Sequence, residues 1–180
     1  MPKMTCPRCW GKPKQCQRCG NLREVEDLQL SKNFKLSEFL DSNTARTGGI
    51  PNDLDLVMTS RLKEATVGLF QPARDLLGPL NVTSGFRSMD LNKAIGGAKN
   101  SAHMKASAMD TQPLKLSLKE AMIKIADSSL VFDQVIMEMG AHHNRTNDDW
   151  IHFGWRHPVT WQQRRQLLVM ENGVYRTWVR

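Results

Sequence analysis

The chain has 180 residues, 40% of them hydrophobic and 24% charged, with a mean hydropathy of −0.46. That is the balance of one ordinary globular domain with a small appendage; it excludes extensive disorder, and no apolar run approaches the roughly 18 residues of a membrane-spanning helix. The net charge is +7, and five of the positive charges (Lys3, Arg8, Lys12, Lys14 and Arg18) fall in the first twenty residues, where there is no acid.

Such a basic segment suits attraction to an anionic polymer, either nucleic acid or cell wall, and equally the plain solvation of a small module. Its first residues, Met1 to Cys6, contain no apolar stretch, so no secretory signal peptide is expected. All four cysteines lie here, as Cys6-x2-Cys9, six residues, then Cys16-x2-Cys19. Two close pairs can wrap four thiolates around one tetrahedral zinc, whereas a disulfide framework would more often use spread spacings. Gly11 and Pro13 in the gap suit a tight reversal. A structural zinc is therefore predicted in a module spanning residues 1–24. Having almost no core, the module would draw its folding free energy from the metal. Its one aromatic, Trp10, could stack on a base or cover the metal site. Nucleic-acid binding, protein docking and simple stapling all stay open for it.

A polar, charge-mixed linker is expected at 25–33, and the main domain at 34–180. Ser37 to Leu40 predicts a helical turn, and Thr47 to Pro51 a loop. Asn52 is expected to cap a long helix with Leu54, Val57, Met58, Leu62, Ala65, Leu69, Ala73 and Leu76 on one face. Pro72 should kink its last turns, and Gly78-Pro79 stop it. Leu80 to Thr83 reads as a strand, and Asp90 to Ile95 as a short helix ended by Gly96-Gly97. Ser117 and Glu120 form a capping box ahead of Ala121, Met122, Ile123 and Ile125. Phe132–Met139 and Trp150–Trp155 read as strands. Gln166–Met170 and Val174–Val179 flank Glu171-Asn172-Gly173, a hairpin signal. The predicted class is α+β, a small, mainly antiparallel sheet with flanking helices.

A second metal constellation is spread through the domain. Among the five histidines, His103 is followed seven residues later by Asp110, and Asp149 precedes His152 by three. Two imidazoles and one carboxylate would leave the fourth zinc position open to water, as in a catalytic site. Zinc lowers the pKa of its water toward ~7, and a nearby base must take the proton. Asp149 could supply it if it sat in a turn before the strand, which Asn147-Asp148 makes plausible, because residues three apart in a strand face opposite ways. His142 and His143 read as a loop pair with a possible substrate role, and His157 as structural or exposed. Arg87 alone would read as surface charge.

The run Val82 to Ser88, with Leu91-Asn92, Ile95 to Ala98, Ser101-Ala102-His103 and Ala108-Met109-Asp110, resembles the zinc D-Ala-D-Ala carboxypeptidase family of peptidoglycan peptidases. Phe34 to Phe39, Ser42 to Ala45, Phe132 to Glu138 and Trp150 to Phe153 extend the likeness to roughly Phe34–Arg156. The chain is similar to phage-encoded cell-wall peptidases and to C-terminal domains of bacterial carboxypeptidases. The resemblance implies the sheet-and-helix fold shared by zinc DD-peptidases and hedgehog domains. It also implies roles: His103, Asp110 and His152 as zinc ligands, Asp149 as general base, Arg87 as the group that binds substrate and steadies the oxyanion, and Ser101 as a fixer of the metal loop or a substrate contact. Gln134 and Glu138 would lie near the site without a catalytic part. Where the family carries glycine, three residues after the first histidine, this chain has Ala106; if positive φ is needed there, alanine carries strain of about 1 kcal/mol.

Two zinc ions are thus expected, one catalytic and one structural. The implied activity is hydrolysis of peptide bonds in peptidoglycan, of either the D-Ala-D-Ala carboxypeptidase or the L-Ala-D-Glu endopeptidase type. Small size and the lack of a leader point to a phage lysis enzyme or a virion-carried peptidase, made in the host cytoplasm and acting at the bacterial cell wall. A virion or tail protein, or less readily nucleic acid, would be the partner of the cysteine module. The competing class is an inactive peptidase fold that works only through that module; the intact His103, Asp110, His152 and Asp149 set favours the enzyme.

Overall fold

The computed structural model describes residues 2–12, 16, 18–20, 22, 24–139, 149–156 and 162–180. His142, His143, His157 and the Asn147-Asp148 turn lie outside the described residues.

Two short strands, β1 (Lys3–Thr5) and β2 (Glu24–Glu26), pair antiparallel and tie together the two ends of the cysteine-bearing segment. The stretch expected as a linker runs directly into the main body. Leu30 is buried in the main core, and the buried Asp27 carboxylate accepts from both N and Oγ of Ser37, each at 2.9 Å. Helix α1 (Leu36–Leu40) follows at the predicted turn. Helix α2 (Asn43–Gly48), unforeseen as a separate element, starts at Ser42, whose side chain accepts from Ala45 N.

The long helix departs from expectation at its start. Asp55, not Asn52, is its cap, accepting from Met58 N at 2.7 Å, and Asn52 is buried elsewhere. The helix then runs as α3 (Leu56–Ala65), one π-turn (Thr66–Phe70) and α4 (Gln71–Leu77). The π-turn sits just before Pro72, which has no N–H and whose ring would press on the carbonyl four residues back in an unbroken α-helix. The wider turn also moves the buried stripe. It follows the predicted Leu62, Ala65 and Leu69, then passes through Phe70 and Ala73 to Leu77 in place of Leu76.

Strands β3 (Leu80–Ser84), β4 (Ala108–Pro113), β5 (Gln134–Met139), β6 (Trp150–Gly154), β7 (Gln166–Glu171) and β8 (Val174–Thr177) form one sheet in the order β3-β4-β6-β5-β7-β8. The α+β class and the mainly antiparallel sheet are as expected; the β5–β7 pair is parallel. Helix α5 (Met89–Ala94) lies between β3 and β4. Helix α6 (Leu118–Asp127) begins with the predicted capping box, Glu120 N donating to Ser117 Oγ and Ser117 N to Glu120 Oε2, and buries Ala121, Met122 and Ile125. At the last hairpin Asn172 and Gly173 have φ of 51° and 79°, the left-handed pair of a type I′ turn.

Strand alternation divides the sheet. Met109, Val135 and Phe153 share register and one face, and all three are buried. They join a core that includes Phe34, Phe39 and Phe70, whose ring centroids lie 5.5 and 5.7 Å apart in sequence. The opposite face carries Asp110, Ile136 and His152, likewise in register. No helix among the described residues is long and apolar enough to cross a membrane.

Candidate active site

Asp110 and His152 are Cα partners on neighbouring strands, so the sheet itself sets them side by side on its open face. His103 arrives from a 3-10 turn (Ala102–Lys105) that leads into β4. Ser101 starts that turn, its Oγ accepting from His103 N at 3.3 Å. Ala106 ends it at φ 53° and ψ 36°, the left-handed conformation the sequence raised as a condition, and its methyl is fully buried.

His103 Nδ1 lies 2.6 Å from the carbonyl oxygen of Gly85 and therefore donates to it. That leaves Nε2 as an acceptor, 3.2 Å from Asp110 Oδ1, while His152 Nδ1 approaches the same oxygen at 2.8 Å. Burial pushes the His103 pKa down, toward the neutral ring that a metal ligand requires, while the Asp110 carboxylate pulls the other way. Burial opposes ionisation of Asp110 too, but His103 and His152 prevail and hold it far below the usual carboxylate range. Two lone-pair atoms meeting in a buried place call for a cation. Zinc with ligands at about 2.0–2.1 Å in a tetrahedron separates them by about 3.3 Å, so the donor set fits that ion. Asp110 Oδ2 accepts from Arg87 Nη2 at 2.8 Å, which leaves Oδ1 for a metal.

Glycine at 85 is a geometric need. A Cβ there would stand 2.5 Å from Phe39 Cα, and the close approach is what lets Phe86 N donate to Phe39 O. Arg87 follows directly. Its Nε donates to Ser84 Oγ at 2.9 Å, its backbone N to His103 O, and its Nη1 makes no hydrogen bond with the described residues.

An open cavity of about 1500 Å³ lies over this cluster, between α3, the 95–102 loop and the sheet, with Arg87, Ser101, Glu138, Trp155 and Tyr175 among its walls. That volume exceeds the roughly 300–1,000 Å³ of a typical small-molecule pocket and suits a length of polymer. Asp149 stands immediately before β6, exposed, with its carbonyl accepting from Gln112 Nε2. Glu138 lines the cavity two positions along β5 from Ile136, the partner of His152, and burial together with the charge of Asp110 pushes its pKa up. The sequence placed Glu138 near the site; Tyr175 it missed, because only the sheet order brings β8 there.

The four cysteines form a second cluster. Cys6 and Cys16 sulfurs are 3.8 Å apart, as are those of Cys9 and Cys19, and all four side chains are buried. Zn–S bonds of about 2.3 Å give a tetrahedral S–S edge of about 3.8 Å, so these residues too fit the ion. Burial pushes the Cys6 thiol up to about 12, while backbone N–H groups, that of Cys19 first, draw Cys16 down to about 7. Trp10 neither stacks outward nor covers this cluster. It is buried against Ala45, Ile50 and Leu91 of the main body, with Nε1 donating to Ile50 O at 2.7 Å.

Two histidines and a carboxylate converging on an open sheet face are the donor set of metal-dependent hydrolases. The profile of the Peptidase M15 family matches residues 32–153, more than half of the chain, and the chain belongs to that family. It is accordingly a metallopeptidase of the zinc-dependent kind, directed at peptidoglycan-type substrates. No curated protein matches the sequence.

Proposed function

We propose that the protein hydrolyses amide bonds in the peptide part of bacterial peptidoglycan, as a phage lysis enzyme or a virion-associated wall peptidase. The convergence of His103 Nε2, Asp110 Oδ1 and His152 Nδ1 on one point beneath a polymer-sized cavity carries the reading. These three atoms would hold a catalytic zinc, which supplies Lewis acidity and a water acidified toward pKa ~7. Arg87 is the substrate anchor. With Nε and Nη2 committed to Ser84 and Asp110, its Nη1 faces an incoming carbonyl oxygen or terminal carboxylate, and a permanently charged fork suits either. Ser101 holds the His103 turn. Asp149, three residues before His152, takes the proton of the attacking water and returns it to the leaving amine nitrogen. If Arg87 grips a terminal carboxylate the enzyme is a carboxypeptidase, and if it grips an internal group, an endopeptidase.

Purified peptidoglycan digested with wild type and with His152→Ala, read by mass spectrometry, tests the reading. New peptide ends made only by the wild type are expected, and their masses name the bond. No new ends from zinc-replete protein on several wall chemistries would replace it with an inactive scaffold. The base is tested separately: Asp149→Ala should lower kcat by about 10²–10⁴-fold, and Glu138→Gln by less than about 10-fold. The reverse ranking would transfer the base to Glu138, which lines the cavity.

A further inference from the structure

Two of the five basic residues of the N-terminal segment, Arg8 and Arg18, are directed at the main body. Lys3 pairs with Glu24, and Arg8 and Arg18 both reach Asp53 Oδ2, at 3.3 and 3.8 Å. Arg18 Nη1 also donates to Leu54 O at 3.0 Å, Trp10 Nε1 to Ile50 O, and Pro7 O accepts from Asn52 N at 2.9 Å. The module thereby grips residues 50, 52, 53 and 54. In the middle of that grip Asn52 is fully buried, and both polar atoms of its amide are partnered. Nδ2 donates to Leu40 O at 3.0 Å and to Phe86 O at 3.1 Å, and Oδ1 accepts from Ser88 N at 2.7 Å. Asn52 therefore holds the backbone on both sides of Arg87.

We propose that the four-cysteine module is an internal brace for the active site, and that Asn52 is the positioning residue through which it sets Arg87. A segment with almost no core is folded by its metal. Occupancy of the thiolate site then decides whether the grip on 50–54 exists, and with it the aim of the Arg87 guanidinium. A buried amide with three backbone partners transmits this well, because a shift of residue 52 leaves polar groups unpaired. The inference rests on Arg87 acting on substrate, as proposed above.

All four cysteines of the chain belong to the module. An organomercurial thiol reagent therefore attacks this site and spares the His–Asp–His cluster. Titrating the full-length zinc protein should release one zinc and lower kcat/KM on wall peptides at least 10-fold, with recovery on excess thiol and zinc. Unchanged kcat/KM after that release would overturn the brace. A variant cycle checks the route. Trp10→Phe, which keeps the packing and loses the bond to Ile50, and Asn52→Ser should each cost about 5-fold or more in an otherwise wild-type chain. In an Arg87→Lys background each should cost less than 2-fold, because residues acting through one group are non-additive. Equal losses in both backgrounds would mean general destabilisation and sink the proposal. A third readout needs no activity: the Arg87 Nε–H signal in 15N spectra, assigned by its loss in Arg87→Lys, should move or broaden on mercurial treatment. If the wild type cuts no wall peptide yet that signal moves, the brace stands and the enzymatic reading fails; if the signal is unmoved, the brace fails whatever the activity.

Discussion

Ala106 shows how the catalytic turn tolerates a residue that local sterics disfavour. Its left-handed conformation costs an alanine about 1–2 kcal/mol. Against this, the methyl is fully buried, worth about 0.8 kcal/mol, and glycine would lose a further ~0.5–1 kcal/mol of chain entropy on folding. The opposing amounts nearly cancel. Ala106→Gly should therefore change unfolding free energy by less than about 1 kcal/mol in denaturant titration. Ala106→Val, with a branched Cβ at positive φ, should cost several kcal/mol and weaken zinc binding at His103. A strongly stabilising glycine would show that the buried methyl contributes little. Comparison with the family's glycine raised a left-handed conformation at 106 only as a condition, which the φ of 53° meets. The grouping of His103, Asp110 and His152 was legible from motifs in a fixed order, since no periodicity marks those residues. Asn52 was misread because its partners Leu40, Phe86 and Ser88 are 12, 34 and 36 residues away. A side chain that serves distant backbone looks, in sequence, like a helix cap.

At the scale of elements, those with local causes were readable and those with distant causes were not. The capping box of α6 and the Asn172-Gly173 turn state themselves within a few residues. The π-turn depends on how Pro72 is accommodated, and the parallel β5–β7 pairing on the whole sheet. Strand β4, where Asp110, Thr111 and Gln112 follow Ala108 and Met109, shows no apolar alternation at all. Asp133, just before β5, ties two of these elements together. It accepts from Arg164 Nε and Nη2 at 2.8 and 2.6 Å and lies 3.0 Å from Arg156 Nε, beyond the end of β6. Burial opposes its ionisation, but the Arg164 hydrogen bonds and the two guanidinium charges hold its pKa below the ordinary value. The native state thus binds fewer protons at this group than the unfolded chain. Its stabilisation is complete above the unfolded pKa of about 3.9 and disappears as pH falls through the lower, native pKa. Thermal melts of wild type and Asp133→Asn should differ most near neutrality, the gap closing below about pH 4. A gap constant from pH 7 to 3 would show that the pair contributes packing rather than charge.

The whole molecule carries two side-chain clusters that could hold metal, one of four cysteines and one of two histidines and an aspartate beneath an open cavity. Elemental analysis should find two zinc ions per full-length chain and one in Cys6→Ser. A single ion, unaffected by that substitution, would remove the thiolate site. Because a metal that binds only the folded chain stabilises it by mass action, a strong chelator should lower Tm, and added zinc should restore it in a concentration-dependent way. The His–Asp–His cluster joins residues 103, 110 and 152, so an ion held there would also tie β6 to β4 and to the turn that precedes it. The one turn that ends in Ala106 and the one register that pairs Asp110 with His152 are enough to define where that ion would sit.

The concentration of every cysteine in one small cluster gathers the molecule's thiol chemistry in one place, separate from the His–Asp–His group. Zinc thiolates persist where the surroundings keep sulfur reduced, and oxidants convert them to disulfides with release of the ion. A protein assembled in a reducing compartment and then exposed to an oxidising one would begin to lose its brace from that moment. Its working life would be set by the chemistry of its surroundings, with no inhibitor and no protease required.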